Sequence, residues 1–159
     1  MKSPVHIGYL DILFEYLPDA TVVHCHRDPV KTVPSFATTI QELRKTTTDD
    51  IDPVEVGQEW FEYWASLTDR YLAVRDCLPL DRIVNANFSE ICDDPVAVIQ
   101  RIYEKAGRKM TPEAIDGCKN YNESRPAHHW GEYSYTLEEY GLSEDAIKAR
   151  FSEYLKIFG

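Results

Sequence analysis

The chain has 159 residues, of which 43% are hydrophobic and 28% charged, with a formal net charge of −10. That length suits one compact domain over residues 1–159, and the negative balance excludes nucleic acid or a heparin-like polyanion as partner, because such ligands need a basic surface. No apolar run approaches the ~20 residues of a membrane helix and the charged start lacks a signal-peptide core, so no membrane partner and a cytoplasmic location are expected.

Apolar residues at Ile7, Leu10, Ile12, Leu13 and Leu17 recur at helical spacing and predict a helix over residues 5–17, stopped by Pro18-Asp19. Residues 21–26 then read as a strand, since Val22 and Val23 are β-branched and apolar. Asp28-Pro29 is a helix start: the carboxylate caps free N–H groups and proline fits the first helical position. Within that helix Pro34 removes one backbone bond and predicts a kink beside Ser35. A polar loop over residues 46–52 leads to a second such start at Asp52-Pro53, which opens a long amphipathic helix to Asp76 bearing Trp60, Phe61, Trp64, Leu67, Tyr71 and Val74.

Residues 82–86 form the second predicted strand. Asp94-Pro95 opens a helix to Lys105 that ends at Gly107, placed as a C′ glycine. Thr111-Pro112 and Ser143 begin two further helices, and residues 124–135 between them form an aromatic, histidine-bearing loop. The four cysteines, Cys25, Cys77, Cys92 and Cys118, contain no C-x-x-C pair and read as reduced, buried thiols. The expected fold class is therefore α/β, a parallel sheet flanked by helices with a helical C-terminal tail.

Arg27 falls at the carboxyl end of the first strand, immediately ahead of a helix N-terminus. A guanidinium beside free N–H groups and a positive dipole end suits a phosphate monoester. Ser35 lies eight positions on, roughly two turns into the helix at ~3.6 residues per turn, and shares that anion only if chain or ligand folds back. On the residues alone, Arg27 equally suits an ion pair with Asp28 or a nearby glutamate.

Arg27-Asp28-Pro29 with Ser35, preceded by Lys2-Ser3-Pro4, resembles the core of sulfotransferases that use 3′-phosphoadenosine-5′-phosphosulfate (PAPS). Two further passages are similar to that family: residues 87–95 running into residues 102–107, and the tail over residues 129–142 with Tyr133-Ser134-Tyr135-Thr136-Leu137-Glu138-Glu139-Tyr140-Gly141-Leu142. The resemblance implies a P-loop nucleotide-kinase-like fold, PAPS as sulfuryl donor, and transfer to a hydroxyl or amine on a small-molecule or neutral glycan acceptor. It places Arg27 and Ser35 on the 3′-phosphate. Phe88 stands where relatives carry a tyrosine against the adenine, so stacking survives without the hydroxyl. Lys2 would lie near the transferred group, where a cation neutralises charge in the transition state, and His6 would be an acceptor-side base. The bland readings are a solvated Lys2, an ordinary helix-start His6, and core packing rather than acceptor-pocket walls for Trp60 and Trp64. No metal is implied.

The family's glycine-containing loop for the 5′-phosphosulfate is absent from these residues, and none of the seven glycines falls in a phosphate-loop pattern. The chain therefore reads as the C-terminal portion of a sulfotransferase, expected by itself to bind nucleotide weakly and transfer little. An exposed sheet edge should remain, favouring self-association. Two rival readings stay open. One is an inactive fragment acting as an interaction module; the other is a metal-binding hydrolase, because His24 and His26 alternate onto one strand face and His128-His129 could join them.

Overall fold

The computed structural model describes residues 2–124 and 135–159. In chain order the helices and strands are α1 (Leu10–Tyr16), β1 (Val22–His26), α2 (Pro29–Arg44), α3 (Pro53–Val74), β2 (Ile83–Asn87), α4 (Phe88–Asp93), α5 (Pro95–Lys105), α6 (Pro112–Ser124), α7 (Glu144–Arg150) and α8 (Ser152–Phe158). Short 3-10 turns cover Pro4–Tyr9, Arg75–Cys77, Leu80–Arg82 and Glu138–Tyr140.

The three Asp-Pro junctions start helices for the same local reason. Asp28 accepts the Val30 N–H at 2.9 Å, Asp52 that of Val54 at 2.8 Å and Asp94 that of Ala97 at 3.0 Å, each with proline at the head of its helix. At the other end of α5 the chain leaves through Gly107 at φ +69°. There the Arg108 N–H reaches the Tyr103 carbonyl and the Gly107 N–H that of Glu104, a Schellman pairing that needs the left-handed residue.

β1 and β2 pair in parallel, with Val22 opposite Ile83 and His26 opposite Asn87, and α2 and α3 form the connection between them. Successive side chains alternate faces. His24, His26 and Asn85 therefore share one face, toward α3 and α8, while Val23 and Cys25 point to the other and are exposed. α5 packs on β2, and Val84 and Ala86 are buried. Among the described residues β1 has no strand on its other side.

α3 is the spine of the molecule. Its Val56 and Ala65 join Val30, Val33 and Ala37 of α2 with Tyr140, Leu142, Ile147 and Phe151 of the tail in one apolar cluster. Further along, its Tyr71 joins Leu10, Phe14, Leu78 and Ile83 in a second. Arg150 clamps α7 to α3 through both carboxylate oxygens of Asp69, at 3.0 and 2.6 Å.

Several expectations are corrected. The single helix over residues 5–17 is a 3-10 turn followed by α1, with Gly8, a poor helix former, in the turn. α3 stops at Val74 rather than Asp76 and tightens into the Arg75–Cys77 turn. The cysteines are free but not buried: Cys25, Cys77 and Cys92 are exposed and Cys118 is half-buried. Cys25 turns outward by strand alternation, and Cys77 lies in a surface turn. Pro34 lies inside α2 as expected, its side chain fully buried and its carbonyl accepting the Thr38 hydroxyl at 3.0 Å.

Candidate functional site

Where the two parallel strands end, β1 delivers Arg27 and β2 delivers Phe88. In open α/β sheets ligands bind at the carboxyl ends of strands. The Arg27 guanidinium carbon sits 4.1 Å from the centroid of the Phe88 ring, a cation–π geometry. Both side chains are exposed, the phenylalanine by 44%. Arg27 has no carboxylate partner among the described residues. Asp28, the neighbour that might have neutralised it, spends its carboxylate on the Val30 N–H instead.

Phe88 owes its place to a second cap. Asn87 and Glu90 form a capping box at the head of α4, the Glu90 carboxylate accepting the Asn87 N–H at 3.0 Å. Arg101 of α5 then binds Glu90 at 3.0 Å and the Asn85 carbonyl at 2.9 Å, tying β2 and α4 to α5. These contacts hold the Glu90 carboxyl below the usual range, first through Arg101 and then through the Asn87 N–H.

Arg27 also lines a crevice of about 60 Å³ with Ile7, His24, Thr32, Trp64 and Tyr154. His6 precedes Ile7 in the Pro4–Tyr9 turn and is half-buried, so the turn carrying it borders this crevice. Gly8 makes that possible: a Cβ there would lie 2.5 Å from the Leu67 side chain, so the turn rests directly on α3. Lys2 is exposed ahead of the same turn. Ser35 is half-buried on α2, where its carbonyl accepts the Thr39 hydroxyl at 3.1 Å and its own hydroxyl has no partner among the described residues.

Trp64 lines the crevice and stacks on Phe36 at 5.3 Å. Trp60 packs against the same Phe36 at 5.1 Å and against the first core cluster. The expected histidine-bearing loop, with His128 and His129, and most of the tail passage before Tyr135 lie outside the described residues.

Behind the site, β1 carries a paired-histidine layer. The rings of His24 and His26 stand 3.9 Å apart, and His26 stacks on Phe158 of α8 at 4.0 Å. His26 Nδ1 bonds the Tyr154 hydroxyl at 2.8 Å and Nε2 bonds Asn85 Oδ1 at 2.9 Å. Desolvation lowers the His26 pKa, and desolvation followed by the neighbouring His26 takes His24 down to about 3. Both ring nitrogens of His26 thus have structural occupations. Among the described residues no group of three or more histidine, cysteine or carboxylate side chains is arranged to hold a metal ion.

Sequence reasoning placed His24 and His26 on one strand face but missed their partners Tyr154, Asn85 and Phe158 and the Arg101–Glu90 tie. The capping box was legible as Asn87 with Glu90 three residues on; nothing local marked Tyr154, which reaches β1 across most of the chain. Nor does any described helix have the length and apolarity to cross a membrane.

An exposed guanidinium at a strand end, ahead of a capped helix and beside an open aromatic ring, is an arrangement whose chemistry suits an anion. The profile of the sulfotransferase family matches residues 1–112, and the chain belongs to that family. Its fold is similar to that of sulfotransferase STF9 from Mycobacterium avium, with a TM-score of 0.87 at 29% identity over 99% of this chain and 41% of that one. Sulfotransferase STF1 from Mycobacterium tuberculosis H37Rv matches with a TM-score of 0.80 over 96% of this chain and 39% of that one; at 24% identity it speaks to the fold alone. The chain spans about two fifths of the length of these structures. No curated protein matches it in sequence.

Proposed function

We propose that this chain carries the nucleotide-phosphate side of a sulfotransferase that moves a sulfuryl group from PAPS to a hydroxyl or amine of a small-molecule or neutral glycan acceptor in the cytoplasm. The carrying observation is Arg27, unpaired by any described carboxylate and lying over the open ring of Phe88. The donor set fits a nucleoside bisphosphate: a guanidinium for the 3′-phosphate, an aromatic face for the base, and the unpartnered Ser35 hydroxyl further along α2.

In this reading the acceptor atom forms a bond to sulfur as the bond between sulfur and the phosphate oxygen breaks. The acceptor proton passes to His6, and adenosine 3′,5′-bisphosphate leaves. Lys2 supplies positive charge to the in-line transition state, so no metal is called upon. Membership of the family and the strand-end geometry favour this over an inactive interaction module or a histidine-based hydrolase.

Calorimetric titration with adenosine 3′,5′-bisphosphate tests it. Binding is expected, with Arg27→Ala weakening it by about 2–3 kcal/mol, the scale of a hydrogen bond to a charged group. Equal affinity for a nucleotide without the 3′-phosphate would overturn the assignment.

A further inference from the structure

Arg27 is an exposed side chain on a chain segment that has just left a two-stranded sheet, so what fixes its backbone decides where the guanidinium points. The neighbouring residue is the most thoroughly anchored in that strand. His26 is 2% exposed, stacked on Phe158, and bonded at both ring nitrogens.

The chemistry of the two outer partners sets the direction of every bond. Asn85 Oδ1 only accepts, so His26 Nε2 carries the ring proton and, in the neutral ring, Nδ1 accepts. The Tyr154 hydroxyl therefore donates to Nδ1, leaving its lone pairs facing outward. Burial raises the phenol's pKa to about 12, which keeps the proton on Tyr154. A continuous series results, Tyr154 O–H to His26 Nδ1 and His26 Nε2–H to Asn85, and Arg27 is the residue that follows the anchored ring. Its far end is fixed again by Arg101, which binds the Asn85 carbonyl.

We infer that Tyr154 of the C-terminal helix is a positioning residue for the anion site, holding the Arg27 main chain through the His26–Asn85 series so that the guanidinium stays over Phe88. Tyr154 touches no ligand in this arrangement and acts through Arg27. The inference rests on the reading of Arg27 as the phosphate ligand. It also accounts for why an active-site strand ends in a neutral, doubly bonded histidine: a protonated ring would donate from both nitrogens and leave the Tyr154 proton without an acceptor.

The test is Tyr154→Phe in the full chain, which keeps the ring packing on His26 and Phe158 and removes only the hydroxyl. Amide exchange should speed at His26 and Arg27 relative to the start of β1, and nitrogen-detected NMR should show His26 as the Nε2–H tautomer in the parent protein. Affinity for adenosine 3′,5′-bisphosphate should fall five- to tenfold, with affinity for adenosine 5′-phosphate unchanged. Tyr154→Ala, which also empties the packing site, should lose the same 3′-phosphate selectivity while lowering stability as well.

Outcomes separate the two layers of argument. If Arg27→Ala abolishes 3′-phosphate selectivity while Tyr154→Phe leaves it intact, the positioning role is wrong and the phosphate reading stands. If the parent protein itself shows no 3′-phosphate selectivity, the phosphate reading fails and takes this inference with it. A His26 Nδ1–H tautomer would also overturn the series.

Discussion

The Arg27 guanidinium and the Phe88 ring meet at 4.1 Å although the residues are 61 positions apart (88 minus 27) and follow different strands. Parallel pairing of His26 with Asn87 sets the two next residues side by side. A cation held over an aromatic face at a surface is worth about 0.5–1 kcal/mol, too little to build the site but enough to bias where each side chain rests. Phe88→Ala should therefore weaken adenosine 3′,5′-bisphosphate by about 1–3 kcal/mol, the cost of a lost base–aromatic stack. Phe88→Tyr should bind at least as well as the parent. In a double-mutant cycle with Arg27→Ala the losses should not add, because the two side chains touch; full additivity would mean that they bind the ligand independently.

The sequence was most legible where structure is local. Asp-Pro capping located the starts of α2, α3 and α5, and Gly107 located the end of α5, because these signals lie within a few residues of the boundary they set. Arg27 and Phe88 were both named as candidates, yet their contact was not, since register is a property of the pair of strands. The Tyr154–His26 bond spans 128 positions and leaves no periodic trace. The short α4 was missed for a different reason: six residues carry too few turns for a hydrophobic stripe to declare itself.

The paired histidines give the fold a pH dependence with a definite sign. Unfolded, both rings titrate near 6.5; folded, His24 titrates at about 3 and His26 below its ordinary value. Below pH 6.5 the unfolded chain binds protons that the folded one refuses, so this contribution is full above 6.5 and declines as pH falls. The limiting slope is about 1.4 kcal/mol per pH unit per histidine. Urea midpoints between pH 7 and 5 should decline accordingly, a window that lies above the carboxylates. Tyr71, Tyr154 and Phe158 pack around the pair, and His24→Leu should flatten the slope. A midpoint independent of pH across this range would show that the rings protonate freely in the folded state.

Gly57 marks the tightest contact between α3 and the tail. A Cβ there would lie 2.6 Å from Tyr140 Cβ and press on the Tyr140 carbonyl oxygen. Tyr140 has little room to retreat, being 1% exposed and bonded through its hydroxyl to Gln41 at 2.7 Å and Thr38 at 3.0 Å. Gly57→Ala gains about 1 kcal/mol of helix propensity but forces backbone apart in a close-packed seam, where overpacking costs about 1–3 kcal/mol. The net effect should be a lowered thermal midpoint. A raised midpoint would show that the tail shifts away from α3 without loss.

The open edge of β1 predicts self-association. Among the described residues β1 pairs only with β2, so its other edge presents unpaired N–H and C=O groups, with Val23 38% exposed and Cys25 exposed beside it. Edges of this kind pair with other chains unless a charge or a bulge blocks them, and neither Val23 nor Cys25 supplies a charge. Sedimentation equilibrium of the 159-residue chain under reducing conditions should therefore show reversible association in the micromolar to millimolar range. Val23→Lys places a charge on the outward face without touching the buried His24–His26 side, so it should give a monomer with an unchanged circular-dichroism spectrum and an unchanged nucleotide affinity. Association that persists in Val23→Lys would move the interface away from β1, and a parent chain that stays monomeric at millimolar concentration would remove it altogether.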